Sequence, residues 1–209
     1  MKTLRYFLPL VLILALTQVS CSRDDDDPII TDPVPTTTLS QEEKDDLLFM
    51  REEEKLARDV YLHNFDLYGM KIFQNISNSE QTHMDRLLDL IVAYNLTDPA
   101  SLEIGVFNNA DLQSLYNDLI TKSNLSLLDA LEVGATIEDV DIRDLDESIA
   151  KTDKVDIILT YENLNCGSRN HMRAFIGQIE SAGGSYTPQF ITVEKFNEIL
   201  NADHEKCGM

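Results

Sequence analysis

Four long stretches of this sequence place apolar residues three or four positions apart, and this spacing constrains the fold more than any other feature. Such spacing puts the apolar side chains on one face of an α-helix. The stretches begin near Ser40, Met70, Leu127 and Lys154. Strand-like alternation is almost absent, and there is no internal repeat. The sequence therefore predicts an all-α fold.

Capping and stop signals set the expected helix ends. Ser40 and Glu43 have the spacing of a capping box, and Gly69 is a typical stop, so the first helix should run from Ser40 to about Tyr68. Thr152 and Asp153 are the expected cap of the last long helix. The other expected helices span about 70–95, 109–122, 127–151, 154–182 and 193–200.

The links between these helices predict how they are arranged. Short links join the first long helix to the second and the third to the fourth, whereas roughly 30 residues, including the short helix 109–122, separate the second from the third. Two antiparallel hairpins joined by one long crossover form the ferritin-like topology. The expected domain is a ferritin-like four-helix bundle over residues 40–200, followed by a tail over 201–209.

An ionisable pair interrupts the apolar face of the second helix. Glu80 and His83 are three residues apart and therefore lie one turn apart on the same helix face. Burying such a pair is costly unless it finds partners. A Glu-x-x-His pair facing the inside of a bundle is the unit from which carboxylate-bridged two-metal sites are built. The pair therefore predicts a metal site.

The other long helices carry matching groups on their apolar faces. Three consecutive glutamates lie in the first helix, and only Glu54 falls in its apolar stripe, so Glu52 and Glu53 are expected on a solvated face. The third helix carries two carboxylates three residues apart, and the fourth carries one histidine. The candidate metal ligands are Glu54, Glu80, His83, Glu138, Asp141 and His171.

These motifs resemble those of known proteins. The segment 54–58 with Tyr61 resembles the first metal helix of rubrerythrins, in the ferritin-like superfamily, and 79–83 resembles their second. The carboxylate pair at 138 and 141 is similar to that of their third helix, and His171 sits where their fourth supplies its histidine. The segments 53–61, 134–138 and 167–171 more narrowly resemble the DUF2202 family, which has no settled activity, over about residues 39–200.

The resemblance implies an iron site with oxidative chemistry. Two ferrous ions would react with peroxide or dioxygen and become ferric, and an external reductant would restore them. Glu54 and His83 would bind the first ion, Glu80 would bridge, and the second ion would be bound by Glu138, Asp141 and His171. Tyr61 is the candidate catalytic residue, as a hydrogen-bond or electron donor. Arg58 and Arg169 are candidate partners of the carboxylates, and ordinary surface or interhelix ion pairs are the alternative for both.

Ser168 departs from the pattern of the resembling proteins, which carry a second bridging glutamate at this position. Glu162 does not replace it, because it falls on the opposite face of the helix from His171. Asp141 can compensate for the missing glutamate by binding the second metal. Alternatively, the site holds a single metal, bound by Glu54, Glu80, His83 and Glu138.

Other metals and other functions are also open. Manganese and zinc suit the same donors as iron. Two further alternatives are a non-catalytic surface binding module with a degenerate site and a metal-free scaffold.

The N-terminal segment predicts export. Lys2 and Arg5 precede an apolar run over 7–16 that is too short to span a membrane. Residues 1–20 resemble a bacterial lipoprotein signal that leaves Cys21 as a lipid-carrying N-terminus, and an ordinary secretory signal is the alternative. Residues 21–39 are acidic and rich in proline and threonine, which predicts a solvated tether. The expected location is the cell envelope, on the outer membrane, with the domain facing the periplasm or the cell surface.

The charge and the remaining cysteines restrict the partners. Without Lys2 and Arg5 the chain has 15 basic and 37 acidic residues, a net charge of −22. Such a surface repels nucleic acid and anionic lipid, so the lipid anchor is the only expected membrane contact. It attracts cations, but acidity alone does not show a metal site, and metal ions are the expected ligands because of the candidate residues given above. Cys166 and Cys207 can pair in an oxidising compartment. The sequence leaves open whether the chain is a monomer or a homodimer.

Overall fold

The computed structural model describes residues 38–208. The expected signal peptide, Cys21 and nearly all of the tether lie outside the described residues. The described part contains no strand, so the all-α prediction is confirmed for it. Its helices are α1 (Gln41–Tyr68), α2 (Lys71–Ala93), α3 (Ala110–Ser123), α4 (Leu127–Ile149), α5 (Val155–Ser181) and α6 (Val193–Asn201).

The ends of α1 follow the expected capping chemistry. The Glu43 backbone N–H donates to Ser40 Oγ at 3.1 Å, and the Ser40 N–H donates to the Glu43 carboxylate at 2.7 Å. Gly69 follows the helix in the left-handed conformation, with φ 67°. The cap expected for α5 was wrong, because its N-cap is Lys154, which makes no side-chain cap hydrogen bond. Thr152 Oγ1 instead accepts from the Lys154 N–H at 3.1 Å.

Two clusters of buried apolar side chains hold the long helices together. Helix α1 packs along α2 and α4 along α5, while α1 also contacts α4 and α2 contacts α5. On α1, α2 and α5, polar residues separate the segments that belong to the two clusters. These separating residues include Glu54, Glu80, His83 and Ser168, all of them buried. The packing therefore leaves a buried polar layer between two apolar ones.

The crossover between α2 and α4 covers a second face of α1. Helix α3 packs against both α1 and α4. Glu52 accepts hydrogen bonds from the backbone N–H groups of Asn108 at 2.6 Å and Asn109 at 3.0 Å. Glu52 and Glu53 are only 4% and 5% exposed, so their prediction as solvated residues was wrong. The apolar stripe of α1 marks the face that packs on α2. The face under the crossover is also buried but carries polar residues, so the stripe does not reveal it.

A buried lysine fixes the same crossover to α1. Lys55 Nζ donates to Asp59 Oδ2 at 2.5 Å and to the Glu103 carbonyl at 2.9 Å. It also lies 4.3 Å from the centre of the Phe107 ring. Asp59 accepts the Gly105 N–H at 2.9 Å. A buried charge is tolerated when it is paired and hydrogen-bonded, and this pair uses its remaining bonds to hold the loop.

Gly134 allows a close approach of α4 to α5. A Cβ atom at this position would lie 2.4 Å from Cε1 of Phe175. We expect Gly134→Ala to lower the free energy of unfolding by about 1–3 kcal/mol through overpacking. Denaturant unfolding measures this change. Gly177→Ala on α5 is the matched control, because nothing lies within 4 Å of its Cβ position. The control should be neutral or stabilising by about 0.5–1 kcal/mol, and equal losses in both variants would contradict the packing described.

Two further features of residues 38–208 are a disulfide and the lack of a helix that could span a membrane. Cys166 and Cys207 form a disulfide, with Cα atoms 5.6 Å apart, so the pairing that the sequence left open is present. None of the helices in residues 38–208 combines the length and apolar character needed to cross a membrane.

Candidate metal centre

Glu80 lies at the centre of the buried polar layer and faces two histidines. One carboxylate oxygen, Oε2, is 2.8 Å from Nδ1 of His83, and the other, Oε1, is 2.9 Å from Nδ1 of His171. The centres of the two imidazole rings are 5.7 Å apart, and the ring planes are inclined by 26°. Helices α2 and α5 therefore present both imidazoles to one shared carboxylate.

Two more glutamates complete the arrangement, one beside each histidine. Glu54 Oε2 on α1 is 3.1 Å from Nδ1 of His83, and Glu138 Oε2 on α4 is 3.4 Å from Nδ1 of His171. Each carboxylate–imidazole group offers three donor atoms within 4.8 Å of one another, and both groups include Glu80. The structure thus brings together five predicted ligands, Glu54, Glu80, His83, Glu138 and His171.

Asp141, the sixth predicted ligand, lies outside both groups. It is 6% exposed, and one of its oxygens, Oδ2, accepts a hydrogen bond from Ser168 Oγ. Its other oxygen has no hydrogen-bond partner among the described residues. Ser168 therefore contacts the very acid that was expected to compensate for the missing glutamate. Glu162 is exposed, as its place on the opposite face predicted.

Tyr61 is buried beside the cluster on α1. Its hydroxyl group donates to Glu138 Oε1 at 2.5 Å and lies 3.3 Å from the Gly134 carbonyl oxygen. Burial and the Glu138 carboxylate raise the pKa of Tyr61 well above its ordinary value. The phenol therefore keeps its proton and orients Glu138.

Neither candidate arginine neutralises the cluster. Arg58 binds Asp59 and Gln81, and Arg169 binds Glu205 and Asn165. Within residues 38–208, no lysine or arginine forms a salt bridge with any of the candidate carboxylates. Both arginines instead form ion pairs away from the candidate carboxylates, which is the alternative that the sequence left open.

The buried groups change one another's affinity for protons. Burial raises the pKa of Glu54 to about 7, although His83 opposes the shift. Burial would raise the pKa of Glu80, but the two histidines outweigh it and lower that pKa. Burial lowers the pKa of His171, but Glu80 and Glu138 outweigh it and raise that pKa to about 10. Protons thus supply the positive charge that the carboxylates require.

This protonation predicts how the stability of the metal-free protein depends on pH. The raised pKa values of Glu54 and His171 mean that the folded chain binds these protons more tightly than the unfolded chain. Their contribution is therefore lost as the pH rises, from about pH 5 to about pH 10. Glu80, whose pKa is lowered from 4.5, acts in the opposite direction only in more acidic solution. Calorimetry should show a falling Tm across this range in protein freed of metal by chelation, and a rising Tm would contradict the arrangement.

Sequence reasoning missed two residues that touch the histidines. Ser79 Oγ lies 3.0 Å from Nε2 of His171, so Nε2 carries a hydrogen bond while Nδ1 faces the carboxylates. Such a partner fixes the tautomer and orientation of a metal-binding histidine. At Gly167 on α5, a Cβ atom would lie 2.6 Å from Nε2 of His83. A glycine within an otherwise regular helix was the available signal for this close approach.

The donor set fits a divalent metal ion. Glu54 Oε1 and Asp141 Oδ1 are buried oxygens without a hydrogen-bond partner among residues 38–208. Buried polar atoms in native proteins almost always have a partner, so these two need one. Carboxylate oxygens and imidazole nitrogens are the donors that iron, manganese and zinc accept.

The helices and the cluster define an all-α protein with a buried carboxylate–imidazole centre. A family profile described as an uncharacterized protein domain, DUF2202, matches residues 43–203, and the chain belongs to this family.

One relative and one solved structure are similar to this chain. An uncharacterized protein, MJ0754, from Methanocaldococcus jannaschii is 52% identical over 158 residues, which cover 75% of this chain and 85% of the relative. The crystal structure of the hypothetical protein MJ0754 from Methanococcus jannaschii is similar with a TM-score of 0.80 and 51% identity, covering 82% of this chain and 98% of that chain.

Proposed function

We propose that this chain is a ferritin-like four-helix bundle that binds two divalent metal ions, iron foremost, and uses them to reduce peroxide or to oxidise ferrous iron. The observation that carries this proposal is the position of Glu80, whose two oxygens each face a different histidine Nδ1 at 2.8 and 2.9 Å. One carboxylate shared between two carboxylate–imidazole groups is the arrangement expected of a bridging ligand.

The charges of the cluster favour two ions over one. Glu54, Glu80 and Glu138 of the cluster, together with the neighbouring buried Asp141, carry four negative charges when ionised. Uncompensated buried charge is strongly unfavourable. Two divalent cations with neutral histidines balance these charges, whereas a single cation leaves two carboxylates to be neutralised by protons. Metal binding would release the protons that the cluster otherwise holds.

Each residue then has a defined role in holding the ions. Glu54 and His83 would hold the first ion, Glu138 and His171 the second, and Glu80 both. A bound pair of ferrous ions would supply two electrons, which is the number needed to reduce one peroxide molecule to water. Tyr61 keeps its proton and donates a hydrogen bond to Glu138 Oε1, with the two oxygens 2.5 Å apart, and so orients that carboxylate.

Iron loading followed by peroxide addition tests this function. The metal-free protein is mixed with ferrous iron under anaerobic conditions, desalted, and analysed for bound iron before peroxide is added. We expect about two ions per chain and one peroxide consumed for each pair of ions oxidised. Less than one ion in ten chains, or oxidation no faster than that of ferrous iron in buffer, would contradict the proposal.

Ser168 supports a second candidate, a non-catalytic binding module that keeps a degenerate site. The serine is hydrogen-bonded to Asp141 and offers no bridging carboxylate. Retention of metal without faster oxidation in the same experiment would select this alternative. For both candidate functions we propose that the protein is exported and lipid-anchored, because its N-terminal segment ending at Cys21 resembles a lipoprotein signal.

A further inference from the structure

A cavity of about 490 Å³ lies beside the candidate metal centre. Gly167, His171 and Ser79 form part of its lining. The side chain of His171 is 12% exposed, whereas those of the four residues grouped with it, Glu54, Glu80, His83 and Glu138, are at most 3% exposed. Among these five residues, the centre is therefore open to the outside mainly at His171.

The irregular residues 202–208 after α6, here termed the C-terminal strap, form one wall of this cavity. His204, Glu205 and Cys207 of the strap line it. The Glu205 carboxylate binds Arg169 at 2.5 Å and Arg173 at 2.7 Å. Two charged pairs to one helix give the strap a fixed position along α5.

Further bonds hold the strap against α5 beside the cavity. Asn170 donates to the Glu205 carbonyl at 3.1 Å and accepts the Glu205 N–H at 3.0 Å. The disulfide joins Cys207 to Cys166, which directly precedes Gly167 in α5. A covalent bond thus ties the strap to the residue that precedes Gly167 in the cavity lining. Loss of this bond should free a segment that contains no helix and is mostly exposed.

The lining indicates which molecules can enter. Besides His171, the cavity presents the amide group of Asn75, which makes no side-chain hydrogen bond among the described residues, and the hydroxyl group of Ser79, which contacts His171 Nε2. An amide and a hydroxyl group both donate and accept hydrogen bonds, as a small neutral polar molecule requires. Anions are disfavoured by the net negative charge of the chain, −20.

We propose that this cavity is the entrance through which a small neutral oxidant of the hydrogen peroxide class reaches the centre, and that the disulfide-anchored C-terminal strap restricts access to His171. The identity of the oxidant rests on the function proposed above. The restriction of access to His171 does not, because it is a property of the metal-free chain as well.

Blocking the entrance tests the first part of the proposal. Asn75 is exposed on α2 and lines the cavity, so Asn75→Trp should fill its mouth without replacing a candidate ligand. Asn78→Trp is the matched control, since Asn78 is exposed on the same helix and does not line the cavity. We expect Asn75→Trp to slow peroxide-driven iron oxidation about tenfold or more at unchanged iron content, with no change in the control. Equal rates in the two variants would overturn the assignment of the entrance.

Solvent access to His171 tests the strap without using metal. The readout is exchange of the ring C2 hydrogen of His171 for deuterium in the metal-free protein, measured by mass spectrometry. We expect Asn75→Trp to slow this exchange and Cys166→Ser/Cys207→Ser to accelerate it several-fold, with His63 as the internal reference. Glu205→Gln keeps the disulfide and should give a smaller acceleration of the exchange. This variant tests the role of the strap even if the double cysteine variant does not fold. Unchanged exchange in Glu205→Gln and in a folded double variant would contradict the claim that the strap restricts access to His171, whether or not the chain binds iron.

Discussion

Replacing Glu80 with alanine should abolish binding of the metal pair. Glu80 is the one carboxylate that belongs to both carboxylate–imidazole groups, so its loss removes a ligand from each. Removal even of residues that only support a ligand weakens metal binding about 10–100-fold, and loss of a shared ligand should exceed that range. Elemental analysis after anaerobic loading with ferrous iron should find about two ions per wild-type chain and almost none in Glu80→Ala.

Glu162→Ala is the matched control for this experiment. Glu162 is a helical glutamate on α5 that is exposed and points away from the centre. Its removal changes the net charge of the chain by the same amount, so any general effect of acidity on iron binding appears equally in both variants. Circular dichroism confirms that both variants are folded. Full iron occupancy in folded Glu80→Ala would contradict the role assigned to Glu80.

Replacing Asp139 with alanine should give the largest loss of stability. Asp139 is fully buried on α4, next to Glu138, and accepts four hydrogen bonds from the segment that leads to α6. The donors are the Tyr186 hydroxyl group and the backbone N–H groups of Gln189, Phe190 and Ile191, at 2.9, 2.5, 3.2 and 2.9 Å. Asp139 itself is buried, whereas the four donors belong to half-buried or exposed residues, so each lost hydrogen bond should cost about 1 kcal/mol.

The expected decrease in the free energy of unfolding for Asp139→Ala is therefore about 3–5 kcal/mol. At this chain length that corresponds to a fall in Tm of roughly 10 °C. Thermal and urea unfolding both measure the change. Asp118→Ala on α3 is the control, because Asp118 is exposed, and it should alter stability by less than about 0.5 kcal/mol. Similar losses in the two variants would show that Asp139 does not hold the segment 186–191.

The helices were predictable because their signals are local. Three-to-four spacing located all six helices, and the capping box with Gly69 fixed both ends of α1. The same spacing selected Glu54 over its two neighbours, and Glu54 reaches the centre beside His83. A residue in an apolar stripe must face the core, so an acid in that stripe is informative without knowledge of its partners.

Polar contacts between distant segments could not be predicted in this way. Glu52 is buried because the crossover supplies two N–H donors from positions 108 and 109. Lys55 and Asp139 likewise have partners far along the chain. A helical wheel treats a polar residue as solvated unless an apolar stripe surrounds it. Burial satisfied by backbone N–H and carbonyl groups of loops leaves no such pattern.

Ser168 illustrates both the strength and the limit of sequence reasoning. Its departure from the pattern of the proteins that the motifs resemble was visible in the sequence, and so was the carboxylate of Asp141. Their hydrogen bond across α4 and α5 required the structure. That contact engages only one oxygen of Asp141, and the other oxygen has no hydrogen-bond partner among residues 38–208. The second oxygen therefore remains available to another partner. The three carboxylates of the centre and the neighbouring Asp141 together make four buried acids, and this number supports the proposed pair of ions.

X-ray diffraction at the iron absorption edge, from crystals grown after anaerobic loading with ferrous iron, tests the metal pair most directly. Two anomalous peaks should lie on either side of the Glu80 carboxylate, one beside His83 and one beside His171. The absence of anomalous peaks, with the two Glu80 oxygens still in contact with Nδ1 of the two histidines in a well-ordered map, would contradict the account.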